Sequence, residues 1–425
     1  MKDSSRGTTH SRFRATSAEE VLRRTARQYA AELNDARADM LALLGRLVAI
    51  ESPSSSREGV DRVAAELAGP LNEAGFDLIS DPVPGHGDQA AAVRRFGQGP
   101  NVLILGHTDT VWPLGTVAHW PYRCSGTAAS GPGAGDMKSS LVMVAHALRL
   151  LSDRTPGGLG EVRLLLVPDE ELGSPSSREW IEHCAQSADV CLGLEPGRPG
   201  GGVVVGRGAV GALLVSARGK SAHATEPDVG TSALRALAPL VVALENLSQR
   251  DEGTIVTVGT LHAGVARQVV PAYAEMQVDL RAPTSRAAET LHRRVREVIE
   301  DATESAQLTV RGGITRPSFL PNAASRSLYQ LVAAASAAVG LGSYQVNERG
   351  GGDSSFAGAR GVPTLDGLGP LVHHACSREE WVDISSLAMR GAIFACLLEH
   401  LAAQGLALED APKGHARMSR RGGSP

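Results

Sequence analysis

Apolar residues recur at two different spacings along this chain, and the change of spacing divides it. From Ser17 the positions Val21, Leu22, Ala26, Tyr29, Ala30 and Leu33 fall on one helical face, opened by Ser17 with Glu20 three residues on as a capping box. That helix is predicted to continue through Met40 to Ile50 and to stop before Pro53. A second is predicted over Val60–Ala74, ended by Gly75 and kinked or divided at Gly69-Pro70. Short continuous apolar runs follow at Val102–Leu105, Val162–Val167 and Val190–Leu194, with a helix predicted over Ser139–Leu151. Continuous runs separated by helices predict a mostly parallel sheet covered on both faces.

From about Val203 the texture changes to alternation. Strand-like segments near 208–218, 254–262, 269–281 and 307–311 bracket helical patterns near 230–248 and 285–303. This β-α-β-β-α-β order predicts a ferredoxin-like unit. After Arg316 the chain returns to helix, Gly-rich turn, short strand and final helix. The expected architecture is α/β: a mostly parallel sheet flanked by helices, built from 17–204 and 317–410, with an α+β domain of 205–316 inserted. Residues 1–16 and 411–425 are polar, lack periodic apolar positions and are expected to be disordered tails.

Composition narrows the function. The 425 residues are 42% apolar and 21% charged, an ordinary globular balance. A net charge of −4 supplies no electrostatic footprint for nucleic acid, which is not expected as a partner. Every apolar block is broken by a charge or glycine, so no membrane span is expected. The start carries Arg6, Arg12 and Arg14 without an apolar stretch after them, unlike a secretory signal. Five cysteines without a C-x-x-C spacing fit a reducing compartment, and a cytoplasmic protein is expected.

Candidate chemistry gathers where the apolar runs end. Leu103–Gly106 leads into His107-Thr108-Asp109, Leu164–Val167 into Pro168-Asp169-Glu170-Glu171, and Cys191–Leu194 into Glu195. Ligands of open parallel sheets bind at the carboxyl ends of strands, so the three clusters are expected to share one crevice. The Gly-rich loop Gly131–Gly135 can deliver Asp136 to the same edge. Imidazole and carboxylates without a thiolate pair suit a divalent ion such as Zn, Co or Mn. Alone, each cluster is more simply a capping pair or a solvated turn; the joint occurrence carries the expectation.

The ordered set Gly106-His107-Thr108-Asp109-Thr110-Val111, Gly135-Asp136-Met137-Lys138, Asp169-Glu170-Glu171-Leu172-Gly173-Ser174 and Leu194-Glu195-Pro196 resembles the co-catalytic zinc hydrolases. Those include glutamate carboxypeptidase, aminoacylase, acetylornithine deacetylase and succinyl-diaminopimelate desuccinylase. The resemblance runs from about Leu41 to about Leu401. It implies that His107 and Glu195 bind one metal, Glu171 the other, and that Asp136 bridges both. It also implies that Asp109 orients His107, and that Glu170 is the general base for a metal-bridging hydroxide. In the inserted domain, Gly219-Lys220-Ser221-Ala222-His223-Ala224 matches the family's lid and dimerisation segment. His223 is accordingly expected to polarise the scissile carbonyl in a neighbouring subunit, which requires a homodimer. Arg281, Arg316 and the Gly350-Gly351-Gly352-Asp353-Ser354 loop fall where relatives bind a substrate carboxylate or line the cleft.

Two segments depart from the pattern. Where relatives carry Asn before Val-Pro or Ile-Pro, this chain reads Ala266-Arg267-Gln268-Val269-Val270-Pro271, so Gln268 is the candidate substrate contact. The last metal ligand falls on His374 when counted forward from Gly367-Leu368, and on Cys376 when counted back from Glu380-Trp381-Val382. His374 is the favoured ligand, with His373 and Cys376 as the alternatives. The expected function is a carboxypeptidase-like dinuclear metallohydrolase cleaving a peptide or N-acyl amide bond beside a free carboxylate in a small substrate. Deacetylation or desuccinylation of an N-acyl amino acid is the alternative within that class, and a metal-free binding homologue the alternative outside it. A nucleotide site at 131–135 is not expected, because the loop has neither G-x-G-x-x-G nor a P-loop Lys-Ser/Thr.

Overall fold

The computed structural model describes residues 18–406 apart from 152–153, 155–156 and 303–305. Ser17 and both expected tails, 1–16 and 411–425, lie outside the described residues. The central sheet has six strands, in the order Asp77–Asp81, Gln89–Arg95, Glu161–Val167, Val102–His107, Val190–Gly193, Thr364–Leu365. The last four are mutually parallel; Gln89–Arg95 pairs antiparallel with Glu161–Val167, and Asp77–Asp81 antiparallel with Gln89–Arg95. Successive side chains of a strand point to opposite faces, and here each face has its own core. Val102, Ile104, Val162, Leu164, Leu166, Val190 and Leu192 pack into the larger core. Leu103, Leu105, Leu165, Val167 and Cys191 pack into a second one with Ile181 and Phe356. That two-sided burial is why the runs read as continuous rather than alternating.

Helices Ala18–Asp35, Arg37–Ala49, Arg57–Glu73, Ser139–Leu151, Ala323–Ala338 and Ile384–Gln404 cover the first face, and Arg178–Ala185 and Ser354–Gly358 the second. The expected helix to Ile50 is two helices with a break at Ala36. Gly69-Pro70 does not divide the next one: Ser56 caps it by accepting the Gly59 N–H, and it runs through Pro70 to Glu73. Against the expectation of no such segment, Ile384–Gln404 is long and apolar enough to cross a membrane; 78% of its most apolar stretch is buried inside the protein, as in a core helix.

The excursion from Ala209 to Arg316 is a four-stranded antiparallel sheet, ordered Ile255–Ala263, Tyr273–Ala282, Ala209–Arg218, Gln307–Arg316. Helices Ala233–Glu245 and Ser285–Asp301 cover one face around Val215, Leu237, Met276 and Val295. This is the expected ferredoxin-like arrangement. Strand Gly202–Arg207, which crosses the expected boundary at 204/205, pairs parallel with Tyr344–Glu348 beside the main sheet. A small antiparallel sheet of Arg123–Ser125, Ala128–Ser130, Trp381–Asp383 and Val372–His373 closes one side of the crevice.

Candidate metal centre

The parallel strands end at one edge, and their ends carry the acids and the imidazole. His107 is the last residue of its strand, Glu170 and Glu171 begin three residues after the next, and Glu195 follows Val190–Gly193 by two. Asp136 arrives from the Gly-rich loop. Gly131 and Gly133 there adopt positive φ, 144° and 70°, and the Gly135 N–H donates to Glu380 Oε1 at 2.8 Å. The peptide between Asp136 and Met137 is cis. Among the described residues, ligand atoms of His107, Asp136 and Glu171 lie within 4.8 Å of one another, and so do those of His107, Glu170 and Glu195.

Asp109 organises the centre from behind. It is 1% exposed. Its carboxylate lies 3.2 Å from His107 Nδ1 and accepts from Ser54 Oγ at 2.6 Å and from the N–H groups of Glu170 and Glu171 at 3.2 and 3.1 Å. With Nδ1 also 3.0 Å from the Asp109 carbonyl, the ring proton belongs on Nδ1. Nε2 faces Asp136 Oδ1 at 3.2 Å and Glu195 Oε1 at 3.9 Å; protonated, it donates to Asp136, and once that proton is displaced its lone pair is open to a cation. Asp169, the first acid of its triplet, is fully buried and ties the turn together through Ser176 and Ser177.

The electrostatics are those of crowded anions. Burial pushes Glu170 up to about 7 despite the Arg316 charge, and Glu171 up to about 9 with Asp136 and Glu170 adding to it. Glu195 is raised well above the usual carboxylate range by burial and then by Asp136 and Glu170. Burial opposes charge on Asp136 and on His107 as well, but their mutual hydrogen bond holds Asp136 low and, with Asp109, His107 high. Glu171 Oε1 is buried without a hydrogen-bond partner. Packed carboxylates are costly unless a cation compensates them. Oxygen donors around one imidazole, with an orphaned carboxylate oxygen among them, fit divalent metal ions.

The sequence profile of peptidase family M20/M25/M40 matches residues 103–400. The chain belongs to that family. Carboxypeptidase G2 of Pseudomonas sp. (strain RS-16) is 29% identical to it over 375 residues, covering 86% of this chain and 89% of that protein. Succinyl-diaminopimelate desuccinylase of Thioalkalivibrio sulfidiphilus (strain HL-EbGR7) is 27% identical over 386 residues, covering 85% and 99%. Among solved structures, an M20 metallo-carboxypeptidase from Sulfolobus solfataricus matches with a TM-score of 0.68 at 16% identity, over 85% of this chain and 99% of that one. A tripeptidase from Staphylococcus aureus matches at 0.70 and 20%, over 87% and 99%. These structural matches bear on the fold, which is the expected one. This M20 chain is a hydrolase, as its motif set implied.

The remaining candidate residues of the M20 chain fall in different places. Arg316 is 7% exposed, and its Nη2 donates to Glu170 Oε1 at 2.7 Å, Ser174 Oγ at 3.1 Å and Asp353 Oδ1 at 3.0 Å. One terminal nitrogen of its guanidinium is thus engaged with the general-base candidate, while Nε is buried without a hydrogen-bond partner among the described residues. Arg281 is paired with Asp279 on its own strand. His223 and Gln268 are neighbours on an exposed face of the inserted domain: Ala224 N–H donates to the Gln268 carbonyl, and His223 Nδ1 lies 2.7 Å from Thr225 Oγ1. None of their described contacts reaches the His107 cluster within this chain.

The segment 372–376 does not bring His374 to the cluster. His374 is exposed, and its carbonyl accepts from Ser377. His373 stacks on Trp381 at 4.0 Å. Cys376 is the residue that arrives, its Sγ donating to Asp136 Oδ2 at 3.3 Å. Sequence reasoning assigned no role to Ser54, Ser174, Arg207, Asp366 or Glu380. Arg207 Nε donates to Asp366 at 2.8 Å and Nη1 to the Gly351 carbonyl at 3.0 Å, fixing the Gly-rich loop. Ser174 and Glu380 stand in the segments Asp169–Ser174 and Glu380-Trp381-Val382, but the partners of all five residues are brought to them only by the fold.

Proposed function

We propose that this chain hydrolyses a peptide or N-acyl amide bond next to a free carboxylate in a small substrate, in the manner of a carboxypeptidase. The observation that carries the reading is the convergence of His107, Asp136, Glu170, Glu171 and Glu195 at one sheet edge. His107 and Glu195 would hold one divalent ion, Glu171 the other, and Asp136 would bridge them. Zinc suits the donors, with cobalt or manganese as substitutes. When bound, the two ions supply compensation for the carboxylates, polarise a carbonyl and make a nearby water more acidic.

The protein's own groups divide the rest. Glu170 takes the proton of the attacking water and returns it to the leaving amine. Its Oε1 is steadied by Arg316, whereas Glu171 Oε1 has no partner and is free for a cation; this supports the division of roles between the adjacent acids. Asp109 fixes the His107 ring. His223 would act from the partner subunit of a homodimer, which accords with its exposed position away from this chain's own cluster. Gln268 beside it and Arg281 are the candidates for the substrate carboxylate. Cleavage of an N-succinyl or N-acetyl amino acid is the second reading, favoured by the 27% identity to succinyl-diaminopimelate desuccinylase.

Elemental analysis of zinc-loaded, desalted protein tests the centre, with two ions per chain expected. A screen of dipeptides against N-acyl amino acids then separates the two substrate readings. Glu170→Gln should keep the metal and lose about 10²–10⁴-fold in kcat, the usual worth of a positioned base. Loss of metal together with activity would give Glu170 a ligand role instead, and no bound metal would favour a binding homologue.

A further inference from the structure

We propose that Cys376, as a thiolate, is the protein ligand that completes the second metal position with Glu171 and Asp136. The inference rests on the dinuclear reading above and adds a ligand of different chemistry to it. The loop 372–376 offers three donors, and the structure separates them. The His373 ring is engaged face to face with Trp381, 4.0 Å away and 4° from parallel. His374 is exposed, and its described hydrogen bonding is by its backbone carbonyl, which accepts from Ser377. Cys376 is exposed as well, but of the three it is the one whose described side-chain contacts include a residue of the cluster: Sγ lies 3.3 Å from the Asp136 oxygen that His107 does not use.

The placement is built. Glu380 accepts both the Cys376 N–H, at 2.9 Å, and the Gly135 N–H, at 2.8 Å. One carboxylate therefore clamps the Cys376 loop to the loop that carries Asp136. Two residues further on, Arg378 lies over the rings of Trp112 and Trp120 at 5.2 and 5.5 Å, anchoring the loop to the segment after Asp109. The independent sign of a missing cation is on Glu171, whose Oε1 is buried without a hydrogen-bond partner among the described residues. A thiol exchanges its proton for a cation when a metal binds. A sulfur donor in one of two positions makes the pair unequal, the second retaining zinc or cobalt and releasing manganese more readily than an all-nitrogen-and-oxygen position would.

Cobalt titration of the chelator-treated full chain under reducing conditions is the test, read by cobalt per chain and by thiolate-to-cobalt charge-transfer absorption in the near ultraviolet. Two cobalt ions per chain are expected, with the band present in the wild type, in His373→Ala and in His374→Ala, and lost in Cys376→Ser. Cys376→His should bind two ions without the band, which shows that the loop still folds. Peptide mapping after iodoacetamide should find Cys376 protected by cobalt while the exposed Cys124 stays reactive. Two ions with no band, or a band that survives in Cys376→Ser, would overturn the cysteine ligand and leave the dinuclear reading standing. An ion lost in His374→Ala but kept in Cys376→Ser would do the same. No cobalt bound to the wild type would overturn both.

Discussion

Asp109 shows how much of a metal site one residue behind it can hold. Its carboxylate receives Ser54, two backbone N–H groups of the Glu170-Glu171 turn and the His107 ring. It therefore sets the imidazole's tautomer and the position of both glutamates at once. Truncation leaves these donors buried and unpaired and frees the ring to rotate. Asp109→Ala should weaken zinc binding by about 10–100-fold, as losses of such ligand-orienting partners do. Competition against a chromophoric chelator measures it, with circular dichroism confirming a folded chain. Unchanged affinity would mean that packing against Met137 and Thr108 alone holds His107.

At the scale of elements, the end of the strand that leads to Glu195 is packed too closely for any residue larger than glycine. A Cβ on Gly193, last in its strand before Leu194-Glu195, would overlap the carboxylate of Asp366. That carboxylate is already held by Arg207, Ser354 and the Gly367 N–H. Gly193→Ala should cost about 1–3 kcal/mol, the range for overpacking, seen as a lower urea midpoint; an unchanged midpoint would mean that Asp366 can move aside. The sequence made the parallel strands and the helix Ser139–Leu151 legible because both have strong hydrophobic signatures. It did not reveal Asp77–Asp81 and Gln89–Arg95, whose Ala90-Ala91-Ala92 centre reads as neither period. His107, Glu170, Glu171 and Glu195 were legible because each lies within a few residues of the end of an apolar run, and Asp136 because a Gly-rich loop leads into it. Cys376 and His374 were not separable along the chain, since both take positive φ, 59° and 54°, and only the three-dimensional turn decides which of them faces Asp136.

Across the whole molecule, the balance of buried titrating groups makes stability depend on pH in two opposing ways. His146 in the helix Ser139–Leu151, His292 in the inserted domain and His400 in the last helix are all held below 6.5, by burial first. The unfolded chain takes up these protons near 6.5 and the folded chain only at lower pH, so their contribution is full above 6.5 and is lost as pH falls below it. In the metal-free protein Glu170 and Glu171 act with the other sign. Their folded values near 7 and 9 lie above the ordinary 4.5, so the folded state holds extra protons, and stability is lost as pH rises through those values. A single pH profile mixes the two, but the difference between wild type and a histidine variant cancels the acids common to both. His146 is the suitable site, because among the described residues its Nδ1 bonds the Val142 carbonyl alone, at 2.9 Å, on its own helix. His146→Gln keeps a donor there and removes the charge. Between about pH 7.5 and about pH 5.5, the interval in which an imidazole titrates, wild-type metal-free protein should lose more of its urea midpoint than His146→Gln does. Equal losses would show that the folded state accommodates a charged His146 as readily as the unfolded chain.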